Sequence, residues 1–111
     1  MSKLEKRILD LGEDRVEYCL YGDSGPVIVL INGFRMSLES WEKLYPEIGQ
    51  YGRVLTYNRL GIGKSTKANT DQTGNVVVNI MREMLSALNL QPPFFLVAHS
   101  LGGVFANLYA R

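Results

Sequence analysis

"FFLVAHSLGG", residues 94 to 103, runs from an apolar stretch through a serine into two glycines. The run "FFLVAH" suits a buried strand, and "LGGVFANLYAR" opens a helix whose apolar stripe passes through Val104, Phe105, Leu108 and Tyr109. Ser100 therefore stands at a strand-to-helix turn. A serine hydroxyl is a weak nucleophile until a sharp turn exposes it beside a general base. Ala98 and Gly102, two residues to either side, are small enough to let that turn pass close to neighbouring strands, which is the logic of G-x-S-x-G; Gly103 gives further room. The helix directs its N-terminus at the serine, so the backbone N–H of Leu101 can stabilise an oxyanion. Ser100 as a simple helix N-cap is the plainer reading. A cap alone requires neither small residues on both sides nor a buried strand leading in, so the nucleophile is preferred.

Outward from this turn, strands and helices alternate. "RVEYCLYG" (15 to 22) reads as a strand and "DSGP" (23 to 26) as a turn. "VIVLIN" (27 to 32) is continuous and β-branched, as expected of a strand covered on both faces. Trp41, Leu44, Tyr45 and Ile48 recur at helical spacing, with Ser37 or Ser40 available as a cap and Pro46 as an irregularity. "RVLTYN" (53 to 58) is a further strand, followed by a polar, glycine-containing stretch from Gly61 to Asn75. Val77, Ile80, Met81, Met84, Leu85 and Leu88 then form the clearest amphipathic stripe in the chain, stopped by Pro92 and Pro93. Those methionines read as core and not as a ligand box. The alternation implies an α/β fold, a mostly parallel sheet with helices on both faces, with ligands at the carboxyl ends of the strands. Three loops leave those ends: "NGFRMS", "NRLGIGKS" and "HSLGG".

The middle loop superficially suggests a nucleotide. A phosphate-binding G-x-x-x-x-G-K-[ST] loop would need glycine where Asn58 stands, and Lys64 and Ser65 would have to begin a helix. About ten polar residues without apolar period follow instead, and Thr66 occupies the third-glycine place of G-x-G-x-x-G. A nucleotide-binding function is therefore a minor alternative, requiring nucleotide-dependent stabilisation that Lys64→Ala abolishes.

Composition narrows the partners. The 111 residues allow one domain at most, and their 12 Lys plus Arg against 11 Asp plus Glu create no field of one sign for nucleic acid or an anionic membrane. The opening "MSKLEKRILDLGEDRVEY" lacks the apolar run of a signal peptide, and no stretch is long enough to cross a bilayer, so a cytoplasmic location is expected. Cys19, the only cysteine, lies in a strand-like run and reads as a small core residue.

Three of these segments together resemble the α/β-hydrolase family, in the serine esterase and lipase-like branch, across essentially the whole chain. "INGFRMSLESW" (31 to 41) is similar to the family's loop in which a His-Gly pair precedes an oxyanion-hole residue; the match implies that Phe34 lends its backbone N–H. "YNRLGIGKS" (57 to 65) is similar to the structural loop D-x-x-G-x-G-x-S or D-R-x-G-x-G-x-S, which makes Lys64 a surface charge. "AHSLGG" (98 to 103) resembles the nucleophile elbow. Asn32 stands where the family usually has His, and Asn58 where it usually has Asp. Ser100 argues against the dehalogenase and epoxide-hydrolase branches, which carry Asp there.

The resemblance implies a serine hydrolase acting on a small carboxylic ester, thioester or amide by acyl transfer. Ser100 would attack, with Phe34 and Leu101 as oxyanion-hole donors and no cofactor or metal. The alternative is a catalytically inactive hydrolase-like module that binds a partner or ligand. In this family the acid and the histidine follow the nucleophile. His99, beside Ser100, would point to the opposite side, and turn composition accounts for Asp23 and Asp71. Residues 1 to 111 are thus expected to be one incomplete domain ending just after the elbow, nearly inactive alone, with "FFLVAH" left as an exposed, aggregation-prone edge.

Overall fold

The computed structural model describes residues 5–22, 24–33, 36–68, 72–98, 107, 109 and 110. Five strands form one sheet: β1 (Arg7–Asp10), β2 (Arg15–Tyr21), β3 (Val27–Ile31), β4 (Arg53–Tyr57) and β5 (Phe94–Ala98), in the order β1-β2-β4-β3-β5. β3 pairs in parallel with β4 on one side and β5 on the other. β2 pairs antiparallel with both β4 and β1, so it alone runs against the other four. The α/β class and the mostly parallel sheet agree with the alternation in the sequence.

The continuous apolar character of β3 follows from its position. Val27, Val29 and Ile31 face a core completed by Val16, Leu55 and the helix α2 (Gly74–Ala87), while Ile28 and Leu30 face a second core with Cys19, Val54, Leu38, Trp41 and Tyr45. Helices thus cover both faces. Each fully buried aliphatic side chain contributes about 1.5–3 kcal/mol of burial free energy, which makes this central strand the anchor of the sheet. Cys19 is buried, and desolvation pushes its thiol up to about 11, as suits a core residue.

Three local features differ from the sequence expectation. The hairpin of β1 and β2 is additional: Gly12, with φ +93°, turns the chain, and its N–H bonds the Asp10 carboxylate at 2.8 Å while Leu11 N–H reaches Asp14 O at 2.8 Å. Charged residues interleaved with Ile8 and Leu9 hide this strand because it lies at the sheet edge and buries little. The helix expected around Trp41 to Ile48 is two pieces, a 3-10 turn (Leu38–Trp41) and α1 (Tyr45–Ile48). Pro46 cannot donate within a continuous helix and instead sits in the first turn of a new one, leaving Leu44 exposed; Ser37 precedes the 3-10 turn without a side-chain capping bond. Finally, α2 ends before the prolines. Asn89 takes a left-handed φ of 56°, Leu90 N–H bonds Leu85 O at 2.9 Å and Asn89 N–H bonds Ser86 O at 3.0 Å, the paired bonds of a Schellman cap. Its start is capped by Thr73, whose Oγ1 accepts from Val76 N–H at 3.3 Å.

β5 lies at the edge of the described sheet. Phe94 and Leu96 pack against the α2 core, whereas Phe95 and Val97, on the other face, are 56% and 41% exposed. Tyr109 joins the α2 side, its ring edge-on to Phe94 at 6.4 Å and under the Arg82 guanidinium at 5.1 Å.

Candidate active site

Parallel pairing carries the carboxyl ends of three strands to one rim. Leu30 lies opposite Thr56 and Ile31 opposite Ala98, so the chain leaves β3, β4 and β5 at neighbouring points. Because β2 runs the other way, its beginning reaches this rim too: Tyr18 pairs with Tyr57, and Asn58 N–H bonds Glu17 O at 2.9 Å. Phe34, His99, Ser100, Leu101, Gly102 and Gly103 lie outside the described residues, as do Asp23 and Asp71. The residues leading into the expected elbow and the expected oxyanion loop, Ala98 and Asn32–Gly33, are described.

In the loop after β3, Asn32 is buried and fully engaged. Its Oδ1 accepts from Trp41 Nε1 at 2.5 Å, and its Nδ2 donates to Tyr57 O at 2.9 Å and Met36 O at 3.5 Å. A short amide with one donor end and one acceptor end thus ties the loop to both β4 and the 3-10 turn. Arg59, following β4, donates from both terminal nitrogens, to Asn32 O and to Gly33 O, each at 2.6 Å. Burial lowers the Arg59 guanidinium from its ordinary value, opposed by Tyr57, yet a guanidinium remains charged near neutrality. Desolvation pushes the Tyr57 phenol up to about 12, against the pull of Arg59, so it stays neutral.

The loop after β4 closes around a carboxylate. Glu17, 4% exposed, accepts at Oε1 from Asn58 Nδ2 and from Lys64 N–H, both at 2.9 Å. Asn58 Oδ1 accepts from Leu38 N–H at 2.7 Å, Ser65 Oγ donates to Asn58 O at 2.6 Å, and Glu17 N–H donates to Ser65 Oγ at 2.9 Å. Nothing in this arrangement suits phosphate. The lysine side chain is exposed, its amide faces a carboxylate, and the next helix begins only at Gly74.

Gly63 is required at this spot. Its φ is +55°, and a methyl there would meet the Asn58 amide and the Glu17 carboxylate inside contact distance. Gly63→Ala is therefore expected to cost about 2 kcal/mol or more, combining left-handed strain with displacement of a buried hydrogen bond. A urea unfolding midpoint equal to that of the wild type would contradict this.

The family model described as alpha/beta hydrolase fold matches residues 26–111. The chain belongs to the α/β-hydrolase fold family. An uncharacterised protein of Bacillus subtilis (strain 168), YqjL, is 36% identical over 89 residues, covering 80% of this chain and 35% of YqjL. Fluoroacetate dehalogenase from Burkholderia sp is 28% identical over 104 residues, covering 89% and 34%. Among solved structures, a hydrolase from Pseudomonas aeruginosa PA01 matches with a TM-score of 0.85 at 25% identity, covering 95% of this chain and 40% of that one. The chain spans about a third of the length of these curated relatives.

Two positions where this chain departs from the usual family residues, Asn32 and Asn58, are the hubs of the described network. Sequence reasoning missed Glu17, Arg59 and Trp41 as their partners. The one available signal was an acid inside the strand "RVEYCLY", where an unpaired buried charge would be untenable and a local donor set is implied.

Proposed function

We propose that the complete polypeptide containing this chain is a serine hydrolase acting on a small carboxylic ester, thioester or amide. Ser100 Oγ attacks the carbonyl carbon while its proton passes to a histidine supplied, with an acid, from beyond residue 111. The Leu101 and Phe34 N–H groups hold the oxyanion. The leaving group departs with the proton, and water hydrolyses the acyl-serine by the same steps in reverse. No cofactor or metal takes part, the partner is a small substrate and not nucleic acid or membrane, and the location is cytoplasmic. Among the described residues no helix is long and apolar enough to cross a membrane.

The observation supporting this reading is the pairing of Ile31 with Ala98, which sets the carboxyl ends of β3 and β5 side by side, shortly before Phe34 and Ser100 in the sequence. An electrophilic fluorophosphonate should label the complete protein, with the adduct mapped by peptide mass to Ser100. Residues 1–111 alone should label hardly at all, lacking the base. Failure of the complete protein to react would instead favour an inactive hydrolase-like binding module.

A further inference from the structure

We propose that the groove around Arg53, at the amino ends of the parallel strands, is a binding site for a small carboxylate with an apolar body. The groove has a volume of about 450 Å³ and lies between the turn before β3, the start of β4 and the connection from α2 to β5. That size suits a small molecule. Val27 pairs with Arg53 on one side and Phe94 on the other, so this is the rim opposite the carboxyl ends of β3, β4 and β5. None of its residues takes part in the acyl-transfer reading above.

Arg53 opens β4 two residues before Leu55, on the face that α2 covers. Its backbone N–H bonds Pro26 O at 2.9 Å, but its side chain has no such use. Nε is buried without a hydrogen-bond partner, and the ion pairs among the described residues join Lys6 to Glu39 and Arg7 to Glu5. A buried donor left unpaired carries the full cost of its desolvation, and such a group calls for an acceptor that the described residues do not provide. Enclosure keeps solvent from Nε, so a ligand first meets the terminal nitrogens, and a small turn of the guanidinium then presents the Nε edge. That turn breaks no described hydrogen bond. α2 ends beside the groove without a basic residue in its last turn, and the negative end of its dipole favours the guanidinium there.

The charge and shape of the groove select the ligand. Among its described lining residues Arg53 carries the one charge, which a single negative charge balances, whereas a phosphate monoester would leave an excess. A guanidinium edge offers two parallel N–H donors, the fork that a carboxylate fills. Asn89 and Gln91 add amide donors; the bond between them, Gln91 Nε2 to Asn89 Oδ1 at 3.4 Å, is long and leaves Asn89 Nδ2 without a described acceptor. Pro26, Pro92 and Pro93 supply apolar walls for the rest of the molecule, and Gly25, at φ +91°, contributes no side chain to block the opening.

The test titrates the uniformly ¹⁵N-labelled complete protein with benzoate and with benzamide, its neutral isostere. Benzoate is expected to move the Arg53 Nε–H resonance, identified by its loss in Arg53→Lys, together with the Gly25 and Gln91 backbone amides, with a Kd of about 1 mM or below. Benzamide should bind at least about tenfold more weakly. Arg53→Met should weaken benzoate by about tenfold or more at the Gly25 and Gln91 amides, and Arg53→Lys should restore only part of that loss. The contrast between the two ligands needs no variant, so it decides even where Arg53→Met fails to fold. Resonances that stay in place at about 10 mM benzoate, shifts confined to other parts of the protein, or an equal response to benzamide would overturn the proposal. A stronger response to inorganic phosphate would overturn the choice of carboxylate.

Discussion

On the proposed acyl-transfer reading, replacing Ser100 by alanine in the complete polypeptide is expected to lower kcat on p-nitrophenyl acetate by about a million-fold, with KM changed little. That factor corresponds to about 8 kcal/mol of transition-state stabilisation, far more than any single hydrogen bond supplies, because removing the nucleophile also idles its base. What survives is the contribution of the oxyanion hole and of binding, about 10³–10⁴-fold over water. The prediction separates a serine from a carboxylate nucleophile. A carboxylate nucleophile would be attacked in turn by water at its own carbonyl, whereas an acyl-serine yields to water at the substrate carbon. Single-turnover hydrolysis in ¹⁸O-water should place the label in the released acid from the first turnover. Activity within tenfold of wild type in the alanine variant would eliminate Ser100 as the nucleophile. A melting temperature unchanged by the substitution would show that the loss is chemical and not structural.

The parts of this chain that were legible from sequence are those written in side-chain periodicity. β3 is apolar at every position because both its faces are buried, and α2 shows its stripe because Val77, Met81, Met84 and Leu85 meet one face of the sheet. The hairpin was less visible because β1 buries only part of itself, so its pattern is charge interrupted by single apolar residues. The direction of β2 was invisible for another reason, since strand pairing is set by connection geometry and not by composition. At the candidate site the glycines of "NRLGIGKS" announced a shaped loop, but not what shaped it. Glu17 is distant in sequence from Asn58 and Lys64, and only the antiparallel return of β2 brings its carboxylate to the rim. Alternation along β2 places Glu17 on the face of Cys19, but it does not name the groups that receive the carboxylate. The roles proposed for Phe34, Ser100 and Leu101 rest on residue type and motif, together with the rim at which β3 and β5 end.

Asn58 offers the decisive stability test, because the residue usual at this place in the family, aspartate, is the one substitution this chain should reject. In Asn58→Asp the Nδ2 donor that meets Glu17 Oε1 at 2.9 Å becomes a second carboxylate oxygen. Both residues are buried, Asn58 at 1% and Glu17 at 4% exposure, so water cannot screen the repulsion. The pair can escape by sharing one proton, which restores a hydrogen bond. Holding a carboxyl protonated at pH 7, when its unfolded value is about 4, costs up to about 4 kcal/mol, and this caps the penalty. The expected loss at pH 7 is therefore about 3–4 kcal/mol, measured by urea unfolding of the complete protein. The sign of its pH dependence follows directly. The shared proton raises one folded-state carboxyl above its unfolded value, so the folded variant binds more protons over that interval and gains stability as the pH falls through it. Relative to wild type, the deficit should shrink to less than about 1 kcal/mol near pH 4. Glu17→Gln added to Asn58→Asp should recover part of the loss at neutral pH, since the introduced amide nitrogen, in the place of Oε1, can donate to the introduced carboxylate, although Lys64 N–H then loses the acceptor it shared with Asn58. A single variant as stable as wild type at pH 7, or a double variant no better than the single, would show that the carboxylate of Glu17 is not what the loop is built around.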